Sequence, residues 1–112
     1  MGQYHAIYNL TKRESLDPSV FDDGVKLGEF GRSGGGTMTA LAYLLAGSTG
    51  RGGGDFNRGQ HAARWCGDRV AILGDYAEDG DVPGTTMAEL KLGGFKDISH
   101  AVRGELAGEL RG

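Results

Sequence analysis

"YHAIYNLTKRESL", residues 4–16, is the stretch on which the fold class turns. Tyr4, Ala6 and Tyr8 alternate with His5, Ile7 and Asn9, the period-2 pattern of a strand with one aromatic face. The polar "TKRE", residues 11–14, predicts a tight reversal, and "ESL" begins a partner strand. The chain therefore opens on a β-hairpin. Asp17-Pro18 requires extended or turn geometry, and Asp23-Gly24 is a dipeptide that accepts the positive φ angles of a two-residue hairpin turn. Beyond it "VKLGEF", residues 25–30, predicts another short strand, which makes the N-terminal half hairpin-rich.

Helical periodicity then takes over. Thr37 can supply a hydroxyl to the first turn of a helix over about 37–46, in which Met38, Leu41, Ala42, Leu44 and Leu45 form one broad apolar face and Gly47 ends the run. Residues 47–60 read as a glycine-rich surface loop. "RWCGDRVAILGDY" contains Val70 to Leu73, apolar on both faces, which predicts a central strand over 69–74. "DISHAVRGELAGEL" predicts a final helix over about 97–110, with Asp97 as cap and Ile98, Ala101, Val102, Leu106 and Leu110 buried. Gly104 and Gly108 each cost that helix about 0.8–1 kcal/mol relative to Ala, so it needs packing or a closely approaching partner. Together these elements predict a single α+β domain over 1–112, with a small mixed, mainly antiparallel sheet and two helices.

Composition limits the function classes. The 112 residues are 38% hydrophobic and 24% charged with a net charge of −3, which argues against bulk attraction to nucleic acid or to an anionic membrane. No apolar run approaches the ~20 residues needed to span a bilayer, and the lone Cys66 fits a reducing interior, so the expected compartment is the cytoplasm. The glycine after Met1 is followed by Ala6 where a myristoylation signal requires Ser or Thr. Twenty-two glycines far exceed the usual share of about 7%, and they cluster between patterned segments as loops.

The words "YNLTKRESLDP", "GVKLGEFGRSGGGTMTALAYLLA", "GRGGGD", "RWCGDRVAILGDYAE" and "FKDIS" together resemble a family of small bacterial and phage proteins. In that family a strand pair, a "KL-EF" strand, a "GTMTAL" helix and a "W-GDR…GDYA" segment recur in this order. The resemblance covers most of the chain and implies an arrangement of elements. It brings no activity and transfers no catalytic residue.

Chemistry has to be sought in the residues themselves. "GRSGGGT" at 31–37 offers Arg32, Gly34, Gly35, Gly36 and Thr37 at a helix start, where free amides and the dipole attract anions. It is no P-loop, because the lysine that reaches the terminal phosphate oxygens is missing. Nor does it fit a dinucleotide fingerprint, since no Gly-x-Gly-x-x-Gly is followed at about twenty residues by an acidic residue at the end of a second strand of a βαβ unit. A generic anion cradle and a tight turn both remain open. Between residues 32 and 69 five arginines, Arg32, Arg51, Arg58, Arg64 and Arg69, stand against Asp55 and Asp68. Arginine's planar fork suits phosphate or carboxylate, and pairing with the acidic remainder of the chain is the plainer alternative.

Acidic residues raise the question of a divalent cation. Asp68 and Asp75 flank an extended segment and so lie roughly 23 Å apart, too far to share an ion. As a calcium loop, "DYAEDGDVPGTT" puts Asp75, Asp79 and Gly80 at positions 1, 5 and 6, but Ala77 and Thr86 occupy positions 3 and 12, which excludes an EF-hand. A magnesium site on Asp75, Asp79 and Asp81, or a solvated acidic turn, remains. Cys66 with His5, His61 or His100 has no spacing that assembles a nucleophile and base, and Cys66 beside Trp65 reads as a small buried hydrophobe. Trp65 itself reads as core or as a stacking platform.

The expected function is a small cytoplasmic binding module for an anionic small molecule or nucleotide, seated at Arg32 to Thr37 with Arg51 and Arg58. One alternative is a metal-assisted hydrolase of nucleotides or phosphodiesters using the 75–81 turn. Another is a phage or bacterial structural or host-interaction protein acting through a protein partner or a homo-oligomer surface, with Gly104 and Gly108 as the pointer.

Overall fold

The hairpin forms as its alternation predicts. In the computed structural model, which describes residues 4–24, 26–31, 36–47, 59–82 and 94–111, strand β1 (His5–Asn9) pairs antiparallel with β2 (Glu14–Leu16). Arg13 adopts φ 58° in the connecting turn. Ile7 and Asn9 of β1 and Glu14 and Leu16 of β2 face the core, and all four are buried. The aromatic face is the other one. There Tyr8 meets the edge of Phe95 at a centroid distance of 5.6 Å, and the Arg13 guanidinium lies 4.8 Å from the same ring.

Strand β3 (Val70–Gly74) joins the far side of β1 antiparallel, with Ile7 opposite Ile72, and the short β4 (Lys96–Asp97) runs parallel to β2. The sheet order is β3-β1-β2-β4, a mixed and mainly antiparallel sheet in an α+β fold. Val70–Gly74 is a strand where the apolar run predicts one, but among the described residues it lies at the sheet edge, with Ile72 38% exposed.

The segment between β2 and the first long helix departs from the hairpin expectation. Asp17 accepts from the Ser19 amide and hydroxyl, which starts a 3-10 turn at Pro18–Phe21, where proline's fixed φ is pre-set for a helical first position. The described part of "VKLGEF", residues 26–30, is likewise no strand: α1 (Leu27–Phe30) is a single helical turn, in which the Glu29 carboxylate reaches back to the Lys26 amide. That local bond closes the turn, and Phe30 alone of these four residues is buried.

Helix α2 (Thr37–Leu45) and helix α3 (Ser99–Arg111) agree with their predicted spans to within two residues. The buried stripe of α2 is Thr37, Ala40, Tyr43 and Leu44, rotated from the predicted face, so Ala42 and Leu45 are exposed. In α3, Val102 and Leu106 are buried with Ile98 just before it; Ala101 is exposed, and the Leu110 and Gly108 side positions lie outside what is described. Asp97 accepts from the Ser99 amide and hydroxyl, fulfilling the capping role expected of it. Ser99 Oγ in turn accepts from the Asp17 amide at 2.7 Å, tying the helix start to the end of β2. Trp65, Tyr43, Phe30, Ile7, Leu16 and Val102 form the centre of the core. No helix among the described residues is long and apolar enough to cross a membrane.

Candidate functional site

The anion at the start of α2 is the protein's own. Asp23 Oδ2 accepts from the Thr37 amide at 2.8 Å and from Thr37 Oγ1 at 2.5 Å, so a free N–H of the first turn and the positive dipole end are matched by an internal carboxylate. Thr37 is fully buried and is the first helical residue, with Gly36 as cap. A Cβ on Gly36 would sit 2.6 Å from Asp23 Oδ2, so close approach of this carboxylate requires glycine. Of the predicted cradle, Gly36 and Thr37 are thus engaged by Asp23. Arg32, Gly34, Gly35, Arg51 and Arg58 lie outside the described residues.

A second polar cluster is built by residues 59–68, which follow the glycine-rich segment. This stretch docks on the C-terminal end of α2: the Ala63 amide donates to the Tyr43 carbonyl at 3.1 Å and the Trp65 amide to the Leu44 carbonyl at 2.9 Å. Two carbonyls that the helix end would leave unpaired are satisfied in this way. Docking carries His61 to Glu105 of α3. The His61 amide donates to Glu105 Oε1 at 2.9 Å, His61 Nδ1 bonds Glu105 Oε2, and Tyr43 Oη donates to Oε1 at 2.7 Å. The Gly59 amide completes the chain by donating to Tyr43 Oη at 2.9 Å. A Cβ on Gly59 would lie 2.4 Å from both Tyr43 Oη and Glu105 Oε1.

One turn on, Arg64 and Trp65 hold the buried carboxylate of Glu14 on β2. Arg64 Nε and Nη2 reach it at 2.9 and 2.6 Å, a bidentate fork, and Trp65 Nε1 donates at 2.8 Å. Burial alone would raise the Glu14 carboxyl, but the Arg64 and Trp65 hydrogen bonds, with the charges of Arg64 and His61, hold it below the ordinary glutamate range. Glu105 is lowered in the same way: burial opposes, and the His61 amide, the His61 ring and Tyr43 outweigh it. The Arg64 side chain stays 41% exposed and that of His61 17% exposed. His61 Nε2 has no hydrogen-bond partner among the described residues. The cluster therefore holds a part-exposed arginine fixed from beneath by Glu14 and a mostly buried imidazole oriented through Nδ1.

The acidic residues are dispersed. Asp68 accepts from Lys12 Nζ at 2.6 Å and Asn9 Nδ2 at 2.9 Å, and the Lys12 bond, then that of Asn9, lowers its carboxyl. Asp75 accepts from the Tyr4 amide at the opposite end of the β1–β3 pair. Asp81 Oδ2 accepts from the Glu78 amide. Among the described residues no three His, Cys, Asp or Glu side chains come together to hold a metal ion. Cys66 is exposed, against the expectation of a buried thiol, because it lies in the turn after Trp65 and the tryptophan takes the core position. No hydrogen bond joins it to His5, His61 or His100 among the described residues. Trp65 is fully buried and is core. Gly104 faces open space.

Glu14, Tyr43 and Glu105 were not legible as site residues, although one signal was present. Glu14 has the strand parity of Leu16, which puts a carboxylate on the core face and demands a cation such as Arg64. Glu105 gives no such signal in sequence, since its partner is 44 residues away. No protein-family model, curated protein or solved structure matches the chain.

Proposed function

We propose that this domain is a small binding module for an anionic ligand, and that its site is the His61–Arg64 turn rather than the start of α2. The observation that carries the reading is the fixing of His61 through Nδ1 by Glu105, three residues before the part-exposed Arg64 side chain that Glu14 holds. An imidazole held in place by Glu105 and a planar cation held beneath by Glu14 suit a phosphate or carboxylate group. Sequence adds to this, because Arg51 and Arg58 belong to the segment that leads into Gly59. The Thr37 amide serves the anion role less well, since an incoming anion would meet Asp23.

The test is an NMR titration of the imidazole resonances with inorganic phosphate and with a nucleoside triphosphate. A saturable shift at His61, weakened several-fold in Arg64→Lys with the fold intact, is the expected result. Lysine keeps the charge on Glu14 but loses the fork. No saturable shift at His61 with either probe overturns the reading.

A further inference from the structure

We infer that the outer edge of β3 is a twofold junction at which two copies of this chain pair antiparallel about Ile72. The backbone register comes first. The Leu10 amide donates to the Arg69 carbonyl at 2.8 Å and the Asp75 amide to the Tyr4 carbonyl at 3.0 Å, so Arg69, Ala71, Leu73 and Asp75 direct their backbone groups toward β1. In an antiparallel ladder this direction alternates, and the N–H and C=O of Val70 and Ile72 therefore point away from the sheet. No strand pairs with that side among the described residues. The Gly74 carbonyl is engaged by the Ala77 amide, which leaves a reciprocal Ile72–Ile72 exchange as the centre of the junction.

Side chains select the same register. Ile72 lies opposite the fully buried Ile7, on the core face of the sheet, yet is 38% exposed, with no strand beyond it among the described residues. Pairing about Ile72 sets each copy of that side chain against the other and continues the apolar face. It also brings Arg69 of one copy opposite Asp75 of the other, twice, since both residues stand three positions from Ile72. Arg69 and Asp75 are exposed. Their backbone groups point inward, so they would form the non-hydrogen-bonded pairs of the new ladder, in which side chains approach most closely. Parallel pairing would set Arg69 against Arg69 and Asp75 against Asp75, so opposite charges at the two ends admit the antiparallel arrangement and penalise the other. The interface is isologous, one patch meeting itself, and closes at two copies. It lies on a different segment from the His61–Arg64 turn and does not depend on an anion.

Sedimentation velocity on the full chain reads the outcome. The wild type is expected to show a concentration-dependent monomer–dimer equilibrium. Ile72→Pro breaks no ladder bond to β1, since it removes the outward N–H together with the junction's central side chain, so it should abolish the dimer while circular dichroism and Trp65 fluorescence stay native. Arg69→Asp and Asp75→Arg should each be monomeric, and their equimolar mixture should regain a dimer, because the two mismatched edges complement each other. A wild type monomeric up to its solubility limit, a dimer that survives Ile72→Pro, or a mixture that stays monomeric overturns the inference.

Discussion

Asp23 Oδ2 lies 2.5 Å from Thr37 Oγ1 and 2.8 Å from the Thr37 amide, so a carboxylate fourteen residues upstream caps α2. The cap also ties the chain after the 3-10 turn to the helix that carries Tyr43 and Leu44. Asp23→Ala should lower unfolding free energy by about 1–2 kcal/mol, the range for losing a helix N-terminal acceptor. Gly36→Ala should produce a loss of the same order, because its Cβ would meet Asp23 Oδ2 at 2.6 Å. Urea denaturation followed by Trp65 fluorescence measures both, and an unchanged midpoint in Asp23→Ala would show that the cap contributes nothing.

Acid should unfold the domain through Glu14 and Glu105. Both carboxyls are lowered in the folded state from the ordinary 4.5. A lowered folded value means that the unfolded chain binds protons first on acidification. The stability these groups contribute is then fully present above the unfolded value and is lost as pH falls through the folded ones. The denaturation midpoint should be flat from neutrality to roughly pH 5 and fall below it. Glu14→Gln combined with Glu105→Gln should start from lower stability and show a shallower fall. An equally steep fall in that double variant would assign acid sensitivity to other groups.

The elements that sequence made legible are those whose signals are local. Alternation in residues 4–9, the apolar run at Val70 and the i, i+3, i+4 spacing of both long helices each depend on near neighbours, and each element stands where its pattern put it. Errors arose where a distant partner decides. The stripe of α2 is rotated because Thr37 turns inward to Asp23 and Tyr43 turns inward to Glu105. Val70–Gly74 looked central because both its faces are apolar, but edge position depends on which strands remain to flank it. "VKLGEF" read as a strand following the Asp23-Gly24 turn, whereas Leu27–Phe30 is a helical turn that the return bond from Glu29 to the Lys26 amide closes. The site was least legible, since Glu14–Arg64 and His61–Glu105 join residues 50 and 44 positions apart.

Tyr43 has a hydroxyl that both donates to Glu105 and accepts from the Gly59 amide. Tyr43→Phe keeps the ring in the core and leaves that amide without its acceptor. The expected loss is about 0.5–1.5 kcal/mol, the net contribution of a hydrogen bond that is only partly buried. Hydrogen exchange should report the change at Gly59 and His61 before it is felt in β1. Equal acceleration across β1 and the 59–61 segment would instead mean that Tyr43 acts only through global stability.

Ala63 holds φ 61°, a left-handed conformation that side chains rarely adopt, at the point where residues 59–68 turn to dock on the end of α2. The Tyr43 carbonyl fixes it there by accepting its amide at 3.1 Å. An L-residue pays about 1–2 kcal/mol for this region, and glycine loses about 0.5–1 kcal/mol more conformational freedom than alanine on folding. Ala63→Gly should therefore raise stability by about 0.5–1 kcal/mol. Gly67, at φ 83° with open space where its Cβ would stand, provides the converse. Gly67→Ala meets no atom, so any loss it shows, on the order of 1 kcal/mol, is conformational. Opposite signs for the two substitutions in parallel urea titrations are the expected outcome. A destabilising Ala63→Gly would mean that the Ala63 methyl makes packing contacts that exceed its backbone strain.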